Sequence, residues 1–246
     1  MISRNTNIRA AMRSRQRGFL LNPYRFGSAE PEDPYWANVV SFMPLNQDPG
    51  TAVVDKTGRV WTGGDGLSFG TAPDGKKALA VDQFANEDSY LFTAASDGFN
   101  LGSTWTIEAY VWIAAAEPAV VMALLASANA TWTPPAAIFG IEQDLVRYVQ
   151  YGPPVINSAQ PVLRGAWVHV AASMDMGRLR IFLRGLLSRD AGPYTLESAR
   201  FDNAGTYFLN TALVSNFYKF KGYMRFFRVT KGICRYVSDF TPPALT

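Results

Sequence analysis

The sequence predicts an all-β protein: an antiparallel two-sheet jelly-roll sandwich with an extended basic arm at its N-terminal end. Three observations predict it. Apolar and polar residues alternate in short runs, as where Ile107, Ala109, Val111 and Ile113 interleave with Glu108, Tyr110 and Trp112, the period of a strand with one buried face. The runs are separated by Gly, Pro, Asn and Asp, and no long helical period stands between them, which points to a sandwich and away from alternating βαβ units. The 246 residues are 48% hydrophobic, 13% aromatic and 17% charged, enough apolar chain for one large core and too little charge for wholesale disorder.

Composition also excludes function classes. One cysteine closes no internal disulfide, and one cysteine with one histidine rules out most His- or Cys-built metal sites within a subunit. No apolar run approaches the roughly 20 residues that span a bilayer as a helix, so no membrane partner is expected.

The arm comes first in the chain, over 1–32, and the body follows over 33–246. A net charge of +3 hides an asymmetry: 1–29 carry Arg4, Arg9, Arg13, Arg15, Arg17 and Arg25 and no acid, so the rest of the chain is mildly acidic. Gly18-Phe19-Leu20-Leu21 is too short for the apolar core of a secretory signal. Like charges keep such an arm extended, and Phe19, Leu20, Leu21, Tyr24 and Phe26 supply apolar anchors among the arginines. The arm is therefore expected to bind a neighbouring subunit and not its own domain. No nucleic-acid recognition motif accompanies the arginines, so nucleic acid is not the expected partner.

In the body, Pro31 and Pro34 with Glu30, Glu32 and Asp33 mark the boundary, and candidate strands follow at Val39 to Leu45, Ile107 to Ile113, Val120 to Leu125, Ile138 to Ile141 and Val146 to Tyr151. Val168, Val170, Ala172 and Met174 form the apolar side of the next strand. Asp175-Met176-Gly177 then turns the chain into Leu179, Ile181 and Leu183, so the two strands read as a hairpin. Arg178, Arg180 and Arg184 are expected to point outward from it as a basic face. Tyr223 to Thr230 is the last strand; Lys231-Gly232 turns the chain, Tyr236 and Phe240 can fold back as aromatic plugs, and Pro242-Pro243 ends the pairing.

Four stretches together resemble the laminin-G-like, concanavalin A-like jelly-roll module in the form common in tailed-phage virion proteins. They are Asp33-Pro34-Tyr35-Trp36 through Asp55-Lys56-Thr57-Gly58, Thr104-Trp105-Thr106-Ile107-Glu108-Ala109-Tyr110-Val111, the hairpin from Trp167-Val168-His169-Val170-Ala171 to Arg184-Gly185, and Gly222-Tyr223 through Phe240-Thr241-Pro242-Pro243. The resemblance covers about 33–244 and leaves the arm outside. It implies a non-enzymatic structural protein of a virion, made in the host cytoplasm, such as a capsid decoration, collar or tail-associated subunit present in many copies and held to other virion proteins by its arm. The alternative it implies is a carbohydrate-binding receptor module that contacts a glycan on the host surface. The chain departs from the family at Arg225, Phe226 and Arg184, where the family offers oxygen ligands, and calcium needs such ligands. No metal and no cofactor are expected.

Enzymatic chemistry finds little support. A glycosidase needs two carboxylates facing one sugar; Glu142-Gln143-Asp144 begins such a pattern, but Leu145-Val146-Arg147 follows and the second glutamate is missing. The segment reads as a hairpin tip. His169 lies mid-strand on the face opposite Val168 and Val170, with no partner that the sequence places beside it, and reads as structural. Cys234 beside Arg235 is a mildly activated thiol or an inert one. Trp132, in Trp132-Thr133-Pro134-Pro135, is the candidate ligand loop, since an exposed indole stacks on sugar faces.

Overall fold

The strand period sets burial as expected. In β8 (Thr104–Ile113) it buries Ile107, Ala109, Val111 and Ile113, and in β13 (Trp167–Asp175) Val168, Val170, Ala172 and Met174. The computed structural model describes residues 33–46, 52–63, 67–82, 90–94, 96–115, 121–127, 137–150, 155–194, 199–201, 206–208 and 220–245. The arm residues Arg4 to Phe26 and the candidate ligand residue Trp132 lie outside these. The unit that holds the sandwich runs from Ala37 to Thr246.

The described strands form two main antiparallel sheets. The first has the order β15 (Leu186–Ala191), β14 (Arg178–Leu183), β13, β8, β18 (Lys221–Lys231), β5 (Lys77–Asp82) and β4 (Leu67–Thr71). β1 (Val39–Met43) also joins β18: β5 lies along Lys221 to Met224 and β1 along Phe227 to Thr230, both on the edge opposite β8. The second sheet has the order β12 (Val155–Pro161), β11 (Leu145–Gln150), β10 (Ala137–Glu142), β9 (Val121–Ser127), β17 (Thr206–Phe208), β6 (Leu91–Thr93), β3 (Val60–Gly63) and β2 (Ala52–Val54). β16 (Ala199–Arg200) pairs with β7 (Asn100–Gly102). Among the described residues there is no α-helix, only short 3-10 turns.

The inner faces of the two sheets share one core. Trp105 of β8 meets Tyr148 of β11 at 5.4 Å between ring centres and Phe201 at 6.4 Å, and Trp61 of β3 meets Phe99 at 5.7 Å. Leu179, Ile181 and Leu183 complete it from β14, as the alternation predicts. The β13–β14 hairpin turns on Met176 and Gly177, at φ +49° and +91°, and the β10–β11 hairpin on Gln143 and Asp144, at +51° and +64°. Two positive φ values in succession mark the tight turns whose twist matches that of paired strands.

The expected basic face of β14 is corrected in two places. Arg178 and Arg184 are exposed, but Arg184 sits in the turn at φ +56° and not on the strand. Arg180 keeps only 12% of its side chain exposed, with Nε 3.8 Å from Asp190. Phe182, on the same face, is fully buried. A segment from distant sequence covers it, which strand alternation does not reveal.

Candidate functional site

Alternation along β8 sends Thr106, Glu108, Tyr110 and Trp112 to the outer face of the first sheet. Their environments change progressively along the strand. After Gly232, at φ +76°, the chain leaves β18 and crosses this face as a strap. Thr106 Oγ1 donates to the Ile233 carbonyl at 3.1 Å and accepts from the Arg235 N–H at 2.9 Å. Tyr236 and Phe240 stack at 3.5 Å, and Phe240 meets Phe182 at 5.3 Å and His169 at 5.7 Å. The Tyr110 hydroxyl donates to the Pro243 carbonyl at 2.7 Å. These are the aromatic plugs read from the sequence, and among the described residues the strap's hydrogen bonds to β8 run from Thr106 to Tyr110.

Under the strap lies a buried charged cluster. Glu108 is fully buried; its Oε1 accepts from Arg228 Nε at 2.8 Å, and its Oε2 from His169 Nε2 at 3.0 Å and from the Tyr236 hydroxyl at 2.8 Å. Burial alone would push the carboxyl up, but the hydrogen bond from His169 and the charge of Arg228 bring it down to about 2. Burial, reinforced by the Glu108 charge, pushes the Tyr236 phenol up, and the Tyr110 phenol to about 12. The cluster exists because of a bulge. Phe226 takes φ +50°, and the register of β18 against β8 shifts between Arg225 and Arg228. The extra residue sends Phe227 inward and Arg228 outward, opposite Glu108. His169 thus has the carboxylate partner that the sequence did not place, and the pair is sealed in a structural network.

Further along the same face, Trp167, Trp112, Tyr223 and Ala80 are partly exposed and Ser68 is exposed. Register places Trp167, Trp112, Tyr223, Ala80 and Ser68 side by side on β13, β8, β18, β5 and β4. Trp112 and Tyr223 meet at 5.6 Å and 63°, forming a notch, and the Arg225 guanidinium lies 4.9 Å over Trp167. Trp112, Tyr223, Ala80 and Ser68 line a groove of about 380 Å³. Two residues along the strands, Lys221 and Asp82 face each other at its rim, Nζ to Oδ2 3.2 Å.

Arg225 fixes one wall. It is fully buried, donates from Nε to the Lys77 carbonyl at 2.7 Å, and grips Asp74 with both terminal nitrogens at 2.6 and 3.0 Å. That hydrogen-bonded grip holds the Asp74 carboxyl below its ordinary value. It anchors the turn between β4 and β5, whose Pro73 borders the groove. Gly222 allows the floor to close: a Cβ there would collide with the Trp112 carbonyl oxygen.

The other sequence candidates are occupied. Glu142 pairs with Arg147, and Asp144 receives Arg164 through Nε at 3.1 Å and Nη2 at 2.9 Å. Burial pushes the Cys234 thiol up, aided by Asp175, and its Sγ donates to the Tyr236 carbonyl at 3.4 Å, so the inert reading holds. The groove escaped the sequence reading. Trp112 and Tyr223 stood within recognised strands, but only register makes them neighbours.

No protein-family model matches the sequence, and no curated protein matches it. Solved structures do. The chain is similar to domain 4 of AbnA, a GH43 extracellular arabinanase from Geobacillus stearothermophilus, in complex with arabinotriose: TM-score 0.56, 13% identity, 79% of this chain and 93% of that one. It is similar to a Trypanosoma rangeli sialidase, TM-score 0.55, 11% identity, 79% of this chain and 31% of that one. It is also similar to the botulinum neurotoxin serotype G binding domain, TM-score 0.59, 11% identity, 83% of this chain and 49% of that one. The chain thus spans about a third of the sialidase and about half of the toxin domain. At these identities the likeness establishes the jelly-roll fold.

Proposed function

We propose that this protein is a non-enzymatic carbohydrate-binding jelly-roll module, with the open aromatic groove of the first sheet as its sugar platform. The observation that carries the reading is the pair of partly exposed rings, Trp112 and Tyr223, that line the groove, because aromatic faces reached by solvent are the usual stacking surface for sugar rings. The neighbours support it: one was solved with arabinotriose bound, and another is a sialidase. The absence of hydrolysis belongs to the same proposal and rests on Glu142 and Asp144 being held by Arg147 and Arg164.

Trp112→Ala should abolish binding in a glycan array and in calorimetry while leaving the melting temperature within a few degrees, since Trp112 lies on the outer face of the sheet and not in the core between the sheets. A variant that binds glycans like the parent would overturn the platform. The finer reading is display on a tailed-phage virion through the basic arm. It rests on the laminin-G-like resemblance and on the six arginines of 1–29.

A further inference from the structure

We infer that the β15 edge of the first sheet, with Leu186, Leu187 and Val237 at its centre, is the surface on which a second copy of this chain docks about a two-fold axis. The three side chains belong to residues that are 57%, 38% and 57% exposed. Two hydrogen bonds bring them together from distant sequence. The Leu187 N–H donates to Asp239 Oδ1 at 2.8 Å and the Phe240 N–H to the Gly185 carbonyl at 2.9 Å, so the strap lies along the start of β15. Exposed apolar residues scattered singly are ordinary, but three gathered on one edge mark a surface that another surface covers. Register sets their directions. Leu186 stands opposite Leu183, whose side chain belongs to the core, and Leu187 opposite Phe182, on the outer face. The patch therefore wraps the edge, and its partner meets it edge-on.

The edge does not recruit a further strand. Asp239 takes the Leu187 N–H, and a bulge shifts the register between Ile181 and Phe182. Ser188 Oγ reaches across to the second sheet, accepting from the Ala159 N–H at 3.0 Å and donating to Gln160 Oε1 at 2.7 Å. Side chains remain, and their charges choose the partner. Arg178 and Asp190 hold each other at 2.7 and 2.8 Å. Among the described residues Arg184 and Arg189 form no ion pair, and Asp239 commits only Oδ1. An apolar centre flanked by cations and a carboxylate is complementary to itself. A strongly acidic partner would meet Asp239, and a strongly basic one Arg184 and Arg189. With two copies of β15 antiparallel about an axis at Leu187, Arg189 of one faces the Gly185 end of the other, where that copy's Asp239 lies. The same pair repeats across the axis, as an isologous interface requires.

The test is the mass of the full chain by sedimentation equilibrium from about 1 to about 100 μM, where the parent should pass from monomer to dimer. Leu186→Asp and Arg189→Glu should each weaken the dimer at least about tenfold at an unchanged melting temperature, since both side chains are exposed and neither belongs to the core. Asp239→Lys should weaken it likewise. Mixing Arg189→Glu with Asp239→Lys should restore a dimer that neither variant forms alone, because only the mixed pair matches both charges. A parent that stays monomeric at about 100 μM, a dimer that persists in Leu186→Asp or in Arg189→Glu, or a mixture that stays monomeric would overturn the inference.

Discussion

Glu108 shows how much one side chain can organise. Its two oxygens hold a guanidinium, an imidazole and a phenol, contributed by β18, β13 and the strap, so one carboxylate ties three segments across the outer face. Removing one member of a buried charged set leaves the others uncompensated, at about 3–5 kcal/mol. Glu108→Gln should therefore lower stability by that amount in urea denaturation. The pH dependence follows from the depressed carboxyl. Its folded value, about 2, lies below the ordinary 4.5, so the stabilisation is complete above about 4.5 and is lost as the pH falls towards 2. Acid titration followed by circular dichroism should show that loss in the parent and a flattened limb in Glu108→Gln.

At the scale of elements, the strap and β18 depend on each other. The bulge at Phe226 orients Arg228, Arg228 fixes Glu108, and Glu108 receives the strap's Tyr236. The strap is further set by Gly185: the Phe240 N–H donates to its carbonyl at 2.9 Å, and a Cβ on Gly185 would collide with the Phe240 carbonyl oxygen. Gly185 also sits at φ +79°, where an L side chain is strained. Gly185→Ala should lift the strap at Phe240, lower stability by about 1–3 kcal/mol, and weaken the near-ultraviolet signal of the Tyr236–Phe240 stack. An unchanged signal and denaturation midpoint would show that the strap does not depend on the close approach of Gly185 to Phe240.

At the scale of the whole molecule, the sandwich supplies its own core from both sheets. Deleting 1–29 should therefore leave the thermal midpoint and sheet spectrum of the body unchanged. If the arm is an attachment device, the same deletion should abolish incorporation into particles. Particles carrying the truncated protein at normal occupancy would remove the arm from the proposal. A marked drop in the thermal midpoint would show instead that the arm supports the body.

Residues 107–113, 168–174 and 179–183 carry their own alternation, so their strands, their buried faces and the turn at Met176-Gly177 could be read directly: a period of two is a local property. The roles of Tyr236 and Phe240 as plugs could be read as well, because apolar rings after the last strand have only the sandwich to cover. β15 was not legible, since Leu186 to Ala191 is largely exposed and polar and becomes a strand by pairing with β14. The partners of His169 and Arg225 were not legible either: Glu108 is 61 positions from His169, and Asp74 is 151 from Arg225. The groove is the extreme case. Trp112, Tyr223, Ala80 and Ser68 come from four strands and become one row only through register. Local periodicity determined which residues face out; tertiary pairing alone decided which of them meet, because hydrogen-bonded register between distant strands is encoded in no single stretch of chain.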